Sequence, residues 1–452
     1  MNKENDIRVD LLVLLTISTV LLTMWSLVVP IFEAPDEPDH WAYARFIHDH
    51  GRLPFYDHNM LEANHPPLYY WLIAPFAVNS ELPKAGCIFM SSIDCRPRTF
   101  SDFGKYWPLR WARLFTVMLS VITILFAYFA AYEASGRPAT GLLAGGLAAF
   151  LPQFTFRGTN ISNDALVAST SAIATYLIVR LIQRGFSWKL GCIASLSVAF
   201  AFLSKVNGII FVPVLIAVLL LERSNWQLRL KRVSLVLLGL ILVGPWLVRN
   251  QILYGDVLGD KVMLKVAPEF VDKKAIWSPY FLHIFPTLLV KSSIGMFGWM
   301  NVSLPKWFYA LWIGLAVCAL AGFVSAVARK AINKQVSGVF AALSLMAIVS
   351  TVQLNLTTSQ PQGRYLFPAL SAWMTLMAIG LENLPRWNRR LALGVMLLLL
   401  AMNLYALFGV EARIYWTEQG RLEASCPAGI VTKAGTVANG NARTNFLGDF
   451  HF

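Results

Sequence analysis

Long apolar blocks alternate with short polar joints along almost the whole chain, and the blocks set the expected architecture. Crossing a bilayer core takes about 20 apolar residues. About eleven blocks reach or approach that length: Leu11–Phe32, Leu109–Tyr132, Ala139–Phe154, Ala165–Val179, Leu190–Leu203, Gly208–Leu221, Val233–Leu247, Trp307–Val327, Val336–Leu354, Tyr365–Leu381 and Leu391–Leu407. Several are short, and the fifth and sixth read as a tight hairpin. The expected fold is all-α, a polytopic membrane helix bundle.

The joints fix an expected orientation. With the N-terminus and its Lys3 and Arg8 in the cytoplasm, the cytoplasmic joints should be basic. They carry Arg180, Arg184 and Lys189, then Arg223, Arg229, Lys231 and Arg232, then Arg329, Lys330 and Lys334, then Arg386, Arg389 and Arg390. The outer face receives a large loop from Glu33 to Pro108 with amphipathic helices, a second from Val248 to Lys306, and a short one from Asn355 to Arg364. Two regions follow: a membrane domain over 1–410, and a polar tail over 411–452 on the outer side. The first block is too long for a signal-peptide core and lacks a small-residue cleavage site, so it reads as a retained span. This pattern places the N-terminus in the cytoplasm and the large loops and C-terminus on the outer side. No internal repeat is visible, which argues against a transporter built from inverted halves.

Composition agrees: 56% of residues are hydrophobic and 14% charged, where a soluble chain carries about 25% charged residues. The net charge of +13 resides in the joints and is explained by orientation; with no Arg-rich helix or aromatic RNA-binding motif, nucleic acid is not an expected partner. Cys192 and Cys318 lie in apolar blocks. Cys87 and Cys95 share the first outer loop, where their spacing permits a disulfide.

The sharpest chemical signal follows the first span. Glu33-Ala-Pro-Asp-Glu-Pro-Asp-His40 places four acidic residues and a histidine at a membrane surface. Pro38 suits the first turn of a helix capped by Asp36 or Glu37 and stopped by Gly51. Asp36 and His40 then share a face. An acidic cap is the ordinary reading, but acid-rich sequence beside hydrocarbon marks a site when it faces a cavity. Further on, Asn64-His-Pro-Pro-Leu-Tyr-Tyr-Trp71 fixes an extended turn at His65, with aromatics suited to an interfacial belt. His48, Asp49, His50, Asp57 and His58 lack metal-ligand spacing and read as a solvated surface.

An acidic pair after the first span followed by His-Pro-Pro-Leu-Tyr resembles the GT-C superfamily of membrane glycosyltransferases. It is similar to the branch of protein O-mannosyltransferases and the lipid A aminoarabinose transferase. The Pro-Asp-Glu-Pro-x-His form looks like a related bacterial family of largely uncharacterised membrane proteins. The likeness extends to about Pro368.

The resemblance implies roles for later motifs. Asp164, in Pro152-Gln-Phe-Thr-Phe-Arg-Gly-Thr-Asn-Ile-Ser-Asn-Asp164, matches an acidic residue that shapes the site, or it caps the fourth span. Lys205, in Leu203-Ser-Lys-Val-Asn-Gly208, meets a carrier phosphate or snorkels to headgroups. Lys291-Ser-Ser-Ile-Gly-Met-Phe-Gly-Trp299 reads as a re-entrant, membrane-facing segment. In Gln360-Pro-Gln-Gly-Arg-Tyr-Leu-Phe-Pro368, Arg364 and Tyr365 match the carrier-phosphate contact, for which a guanidinium fork is suited. The implied activity transfers a hexosyl or pentosyl group from a polyprenyl-phosphate sugar to a lipid, glycan or protein acceptor, with inversion. Asp36 or Glu37 would be the base, and His40, His65 and Asp164 would support them. No cofactor is required by the sequence; a divalent cation, if used, is expected on Asp36 and Glu37. The alternatives are a transporter of lipid-linked sugars and a glycan polymerase or ligase.

Overall fold

The computed structural model describes residues 3–78, 106–222 and 224–416. Cys87, Cys95 and most of the polar tail lie outside them. In chain order the α-helices are α1 Lys3–Val28, α2 Glu37–His50, α3 Leu68–Ile73, α4 Trp107–Ser135, α5 Pro138–Ala149, α6 Pro152–Arg157, α7 Asp164–Arg184, α8 Trp188–Ser204 and α9 Phe211–Leu221. They continue as α10 Trp226–Tyr254, α11 Asp260–Val266, α12 Phe285–Ile294, α13 Lys306–Ala328, α14 Lys334–Asn355, α15 Leu370–Glu382, α16 Arg389–Leu404 and α17 Ala412–Trp416. The one sheet among the described residues pairs Met296–Phe297 with Val302–Ser303, antiparallel.

Among the described residues, eight helical segments are long and apolar enough to cross a membrane, and the three shorter apolar helices Pro138–Ala149, Trp188–Ser204 and Val206–Leu221 fall on the remaining expected blocks. The last long segment, Arg389–Trp416, runs past the expected end at Leu407. The chain is thus an all-α, multi-pass membrane protein.

The α4 helix is the hub, packed by α1, α5, α7 and α15. Lipid is as apolar as leucine, so helices in it associate through close packing of small residues and through buried polar contacts. Both occur here. Gly322 of α13 and Gly380 of α15 meet backbone to backbone, leaving no room for a Cβ at either position. The Trp25 indole of α1 donates to Asn403 Oδ1 of α16 (2.7 Å), and Asn403 Nδ2 donates to Thr155 Oγ1 of α6 (3.1 Å).

The two ends of the bundle differ in chemistry. At one end, Arg184 pairs with Glu133, Gln183 meets Asn333, Arg137 faces Glu382, and Arg389 faces Asp10. The basic joints therefore share an end with the start of α1. The opposite end holds α2, α3 and the N-terminus of α7.

Two local readings need correction. Tyr69 and Tyr70 are fully buried, not interfacial. Tyr69 hydrogen-bonds Thr116 (2.9 Å), and Tyr70 stacks on Tyr43 with ring centroids 3.8 Å apart. Only Trp71 of that run is well exposed. The Lys291–Trp299 stretch is not a membrane-facing loop throughout: it ends α12, turns inward, and buries Phe297 against Trp25 and Phe156. Aromatic composition alone does not distinguish an interfacial ring from one with a buried partner.

Candidate active site

The loop between α1 and α2 is held in an unusual shape. Phe32 and Asp36 are both left-handed, at φ 69° and 64°. For a bulky residue such as Phe32 this is strained, at a cost of roughly 1–3 kcal/mol. The constraint comes from α4. Arg113 is fully buried, and all five of its N–H groups are used. Nε and Nη2 grip Glu37 (2.7 Å each), Nη1 donates to the carbonyls of Ser26 (2.9 Å) and Val29 (2.5 Å), and Nη2 donates to that of Pro30 (2.9 Å). Carbonyls left over at the end of α1 are satisfied by these bonds.

Glu37 completes the clamp. One oxygen also accepts from the Phe32 N–H (2.7 Å), the other from the Ile161 N–H (2.9 Å). Each oxygen thus receives two donors, in a side chain with no exposure. A carboxylate so filled has no lone pair left for a substrate proton. The acidic pair is divided by geometry: Glu37 faces Arg113, Asp36 faces Arg364, and the two do not converge on a common cation site.

Asp36 sits at the N-cap position of α2 but makes no capping hydrogen bond. Its left-handed backbone sends the carboxylate to Arg364 Nη2 (2.6 Å). Burial works to raise its carboxyl, but Arg364, aided by Arg157, holds it below the usual carboxylate range. The helix it starts runs from Glu37 to His50 and stops at left-handed Gly51, as the sequence predicts.

Asp164 is likewise no cap. Fully buried, it accepts from Lys205 Nζ (2.6 Å) and from Arg157 Nη2 (2.9 Å), with Arg364 Nη1 at 3.7 Å. Arg157 also donates to the Pro35 carbonyl (3.0 Å), tying α6 to the residue before Asp36. Lys205 is buried and paired, not snorkelling. Arg364 and Lys205 flank the Tyr365 ring, at 5.4 and 5.3 Å from its centroid. Gly363 makes this possible: its backbone lies directly on that of Ser292 and Ser293, where no Cβ would fit. Its N–H donates to Ser292 Oγ (2.8 Å).

Asp36, Asp164, Arg157, Lys205 and Arg364 therefore form one contiguous charge cluster, with 3 − 2 = 1 excess positive charge. Arg364 Nε is buried without a partner and offers a spare donor. Such a cluster can receive an anionic group.

His40 and His65 meet on a residue the sequence did not flag, Glu62. Its carboxylate touches His65 and stands 3.6 Å from His40 Nδ1. Burial depresses His40 to about 4 against the pull of Glu62 and Asp36, so its imidazole is neutral at ordinary pH. Burial works to raise the Glu62 carboxyl, but the contact with His65 outweighs it and holds it below the usual carboxylate range. Arg113 and Arg157 were also overlooked. Each is a charge within or beside an apolar block, which is the general signal for a buried pair.

Residues 104–248 match the family described as dolichyl-phosphate-mannose-protein mannosyltransferase, a stretch that includes Asp164 and Lys205 but not Asp36 or Arg364. No curated protein sequence matches the chain significantly. Among solved structures, ArnT from Cupriavidus metallidurans bound to undecaprenyl phosphate is similar with a TM-score of 0.56 and 16% identity, over 91% of this chain and 65% of that one. ArnT in the apo state gives 0.54 and 16%, over 85% and 61%. The chain thus spans about two thirds of the length of ArnT, or slightly less. Archaeal oligosaccharyltransferase AglB from Archaeoglobus fulgidus is more distant, with a TM-score of 0.46 and 14% identity, over 90% of this chain and 56% of that one. The chain shares the GT-C fold of ArnT.

Proposed function

We propose that the protein transfers a sugar from a polyprenyl-phosphate carrier to an acceptor at the outer face of a bacterial inner membrane. The observation that carries this reading is the contact of Asp36, left-handed and uncapped, with Arg364 inside a cluster of net positive charge. A base and a phosphate-binding cation stand side by side at the end of the bundle away from the basic joints. The fold matches a protein crystallised with undecaprenyl phosphate.

In the proposed reaction, Arg364 and Lys205 bind the carrier phosphate beside Tyr365. Asp36 takes the proton of the acceptor hydroxyl or amine. The acceptor forms its bond to the anomeric carbon as the bond from that carbon to the phosphate oxygen breaks. The leaving phosphate keeps the electron pair, and the fixed cations stabilise it without reorganisation. Attack from the face opposite the phosphate inverts the anomeric centre. Asp164 positions Lys205 and Arg364, while Glu37 shapes the loop that carries Asp36. The transferred group is a hexosyl or pentosyl unit, and the acceptor is a lipid, glycan or protein.

The test is transfer of radiolabel from polyprenyl-phosphate sugars in membranes overproducing the protein. Label should reach an acceptor with wild type and not with control membranes. Arg364→Ala should weaken carrier binding and lower transfer by about 10²-fold or more, because it removes a fixed charge from the leaving group. Wild-type transfer by Arg364→Ala would reject the phosphate assignment.

A further inference from the structure

A second cluster, next to the first, is not used by this chemistry. His40 on α2, Glu62 and His65 on the following turn, and Asn163 at the start of α7 converge on the Tyr70 hydroxyl. That oxygen lies 2.9 Å from His40 Nδ1, 3.4 Å from His65 Nδ1, 3.4 Å from Asn163 Nδ2 and 3.5 Å from Glu62 Oε2. A phenol has one proton and limited acceptor capacity, so it cannot satisfy four partners at once. Asn163 is fully buried, and its Oδ1 has no partner. Its amide nitrogen points at His65 Nδ1 instead (3.2 Å). Rotating the amide by half a turn brings the oxygen into the cluster, a choice settled only by what the cluster holds.

We propose that His40, Glu62 and His65, with the Asn163 amide oxygen, form a binding site for a divalent transition-metal ion. One ring nitrogen of each imidazole and a Glu62 carboxylate oxygen all lie within 4.8 Å of one another. A tetrahedral ion with bonds of about 2.0 Å needs ligand atoms about 3.3 Å apart, and His40 Nδ1 to Glu62 Oε2 is already 3.6 Å. Two imidazoles with one carboxylate suit zinc and its neighbours, not calcium or magnesium, which take oxygen ligands. The site is partly pre-built: Tyr43 stacks on Tyr70 and holds the aromatic wall. It is also reachable, since the His65 side chain is 28% exposed while that of His40 is 2% exposed.

The location gives the ion a purpose. His40 is one helical turn beyond Asp36, whose carbonyl accepts the His40 N–H (3.0 Å). Asn163 immediately precedes Asp164. An ion here would tie the Glu62–His65 turn to both segments that carry the acidic residues of the charge cluster. It acts by positioning and takes no part in bond making.

The test uses full-length protein purified in detergent without a polyhistidine tag, stripped with a chelator and dialysed against zinc. Metal analysis should find one zinc per chain in wild type. That zinc should disappear in His65→Ala and Glu62→Gln and persist in His48→Ala/His50→Ala. Zinc should raise the wild-type melting temperature and leave the two site variants unmoved. His65→Ala alters a partly exposed side chain, and its metal-free melt should match wild type, which separates lost ligation from lost fold. Cobalt in place of zinc should give the intense visible bands of a tetrahedral site. Wild type that retains no zinc, or site variants that retain as much as wild type, would overturn the proposal. The readout is metal content, so it stands or falls apart from sugar transfer.

Discussion

Replacing Asp36 with asparagine lowers sugar transfer by about 10²–10⁴-fold, the usual contribution of a positioned base, while the protein still accumulates in the membrane. The substitution is conservative in every respect except charge. Asparagine accepts the left-handed backbone as readily as aspartate, so the φ of 64° at this position is preserved. No capping bond is lost, because Asp36 makes none. Arg364 loses one carboxylate and keeps Asp164 at 3.7 Å. Carrier binding should therefore persist, or tighten as Arg364 is freed. Radiolabel transfer, with protein level checked by immunoblot, decides the matter. Persistent transfer would remove Asp36 from the mechanism. Carrier that crosses the membrane equally in both proteins, with no product from either, would favour a transporter.

The lengths of the apolar blocks made the bundle legible, because crossing hydrocarbon imposes a requirement that every span must meet separately. Helix α2 was legible too, from Pro38 at its start and Gly51 at its end. The chemistry at its start was not. A capping rule expects the side chain of Asp36 to bond the helix N–H groups; that presumes an extended backbone at the cap. The Arg113 clamp imposes a left-handed one, and the carboxylate turns to Arg364 instead. Nothing local announces this, since Arg113 and Glu37 are 76 residues apart. Glu62 was missed for a related reason. Its spacing to His65 fits a helical turn, but its value comes from His40 on another element. Cation and anion were both visible at Asp164, Lys205 and Arg364, yet their mutual contacts depend on how α7, α8 and the Gly363–Ala369 turn pack. The division of the acidic pair into a base and a brace follows from that packing, and adjacent letters in a sequence do not encode it.

Arg113→Met should destabilise the protein by about 3–5 kcal/mol, the range for breaking a buried ion pair by removing one partner. It leaves Glu37 ionised or protonated without its fork. An ordinary buried pair can be replaced by apolar residues at little cost, so Arg113→Met/Glu37→Met tests whether this one is ordinary. We expect that it is not. The pair also serves the carbonyls of Ser26, Val29 and Pro30 and the N–H groups of Phe32 and Ile161. Each such group left buried and unpaired costs about 1–3 kcal/mol. The double variant should remain well below wild type in thermal unfolding in detergent, and Phe32 and Asp36 should relax from their left-handed conformations, taking transfer activity with them. Recovery of wild-type stability in the double variant would mean that the strained loop is held by packing alone. Arg113→Lys refines the point: it keeps the charge but not the fork. It should fold better than Arg113→Met while still failing to brace Asp36, so its loss of transfer should exceed its loss of stability.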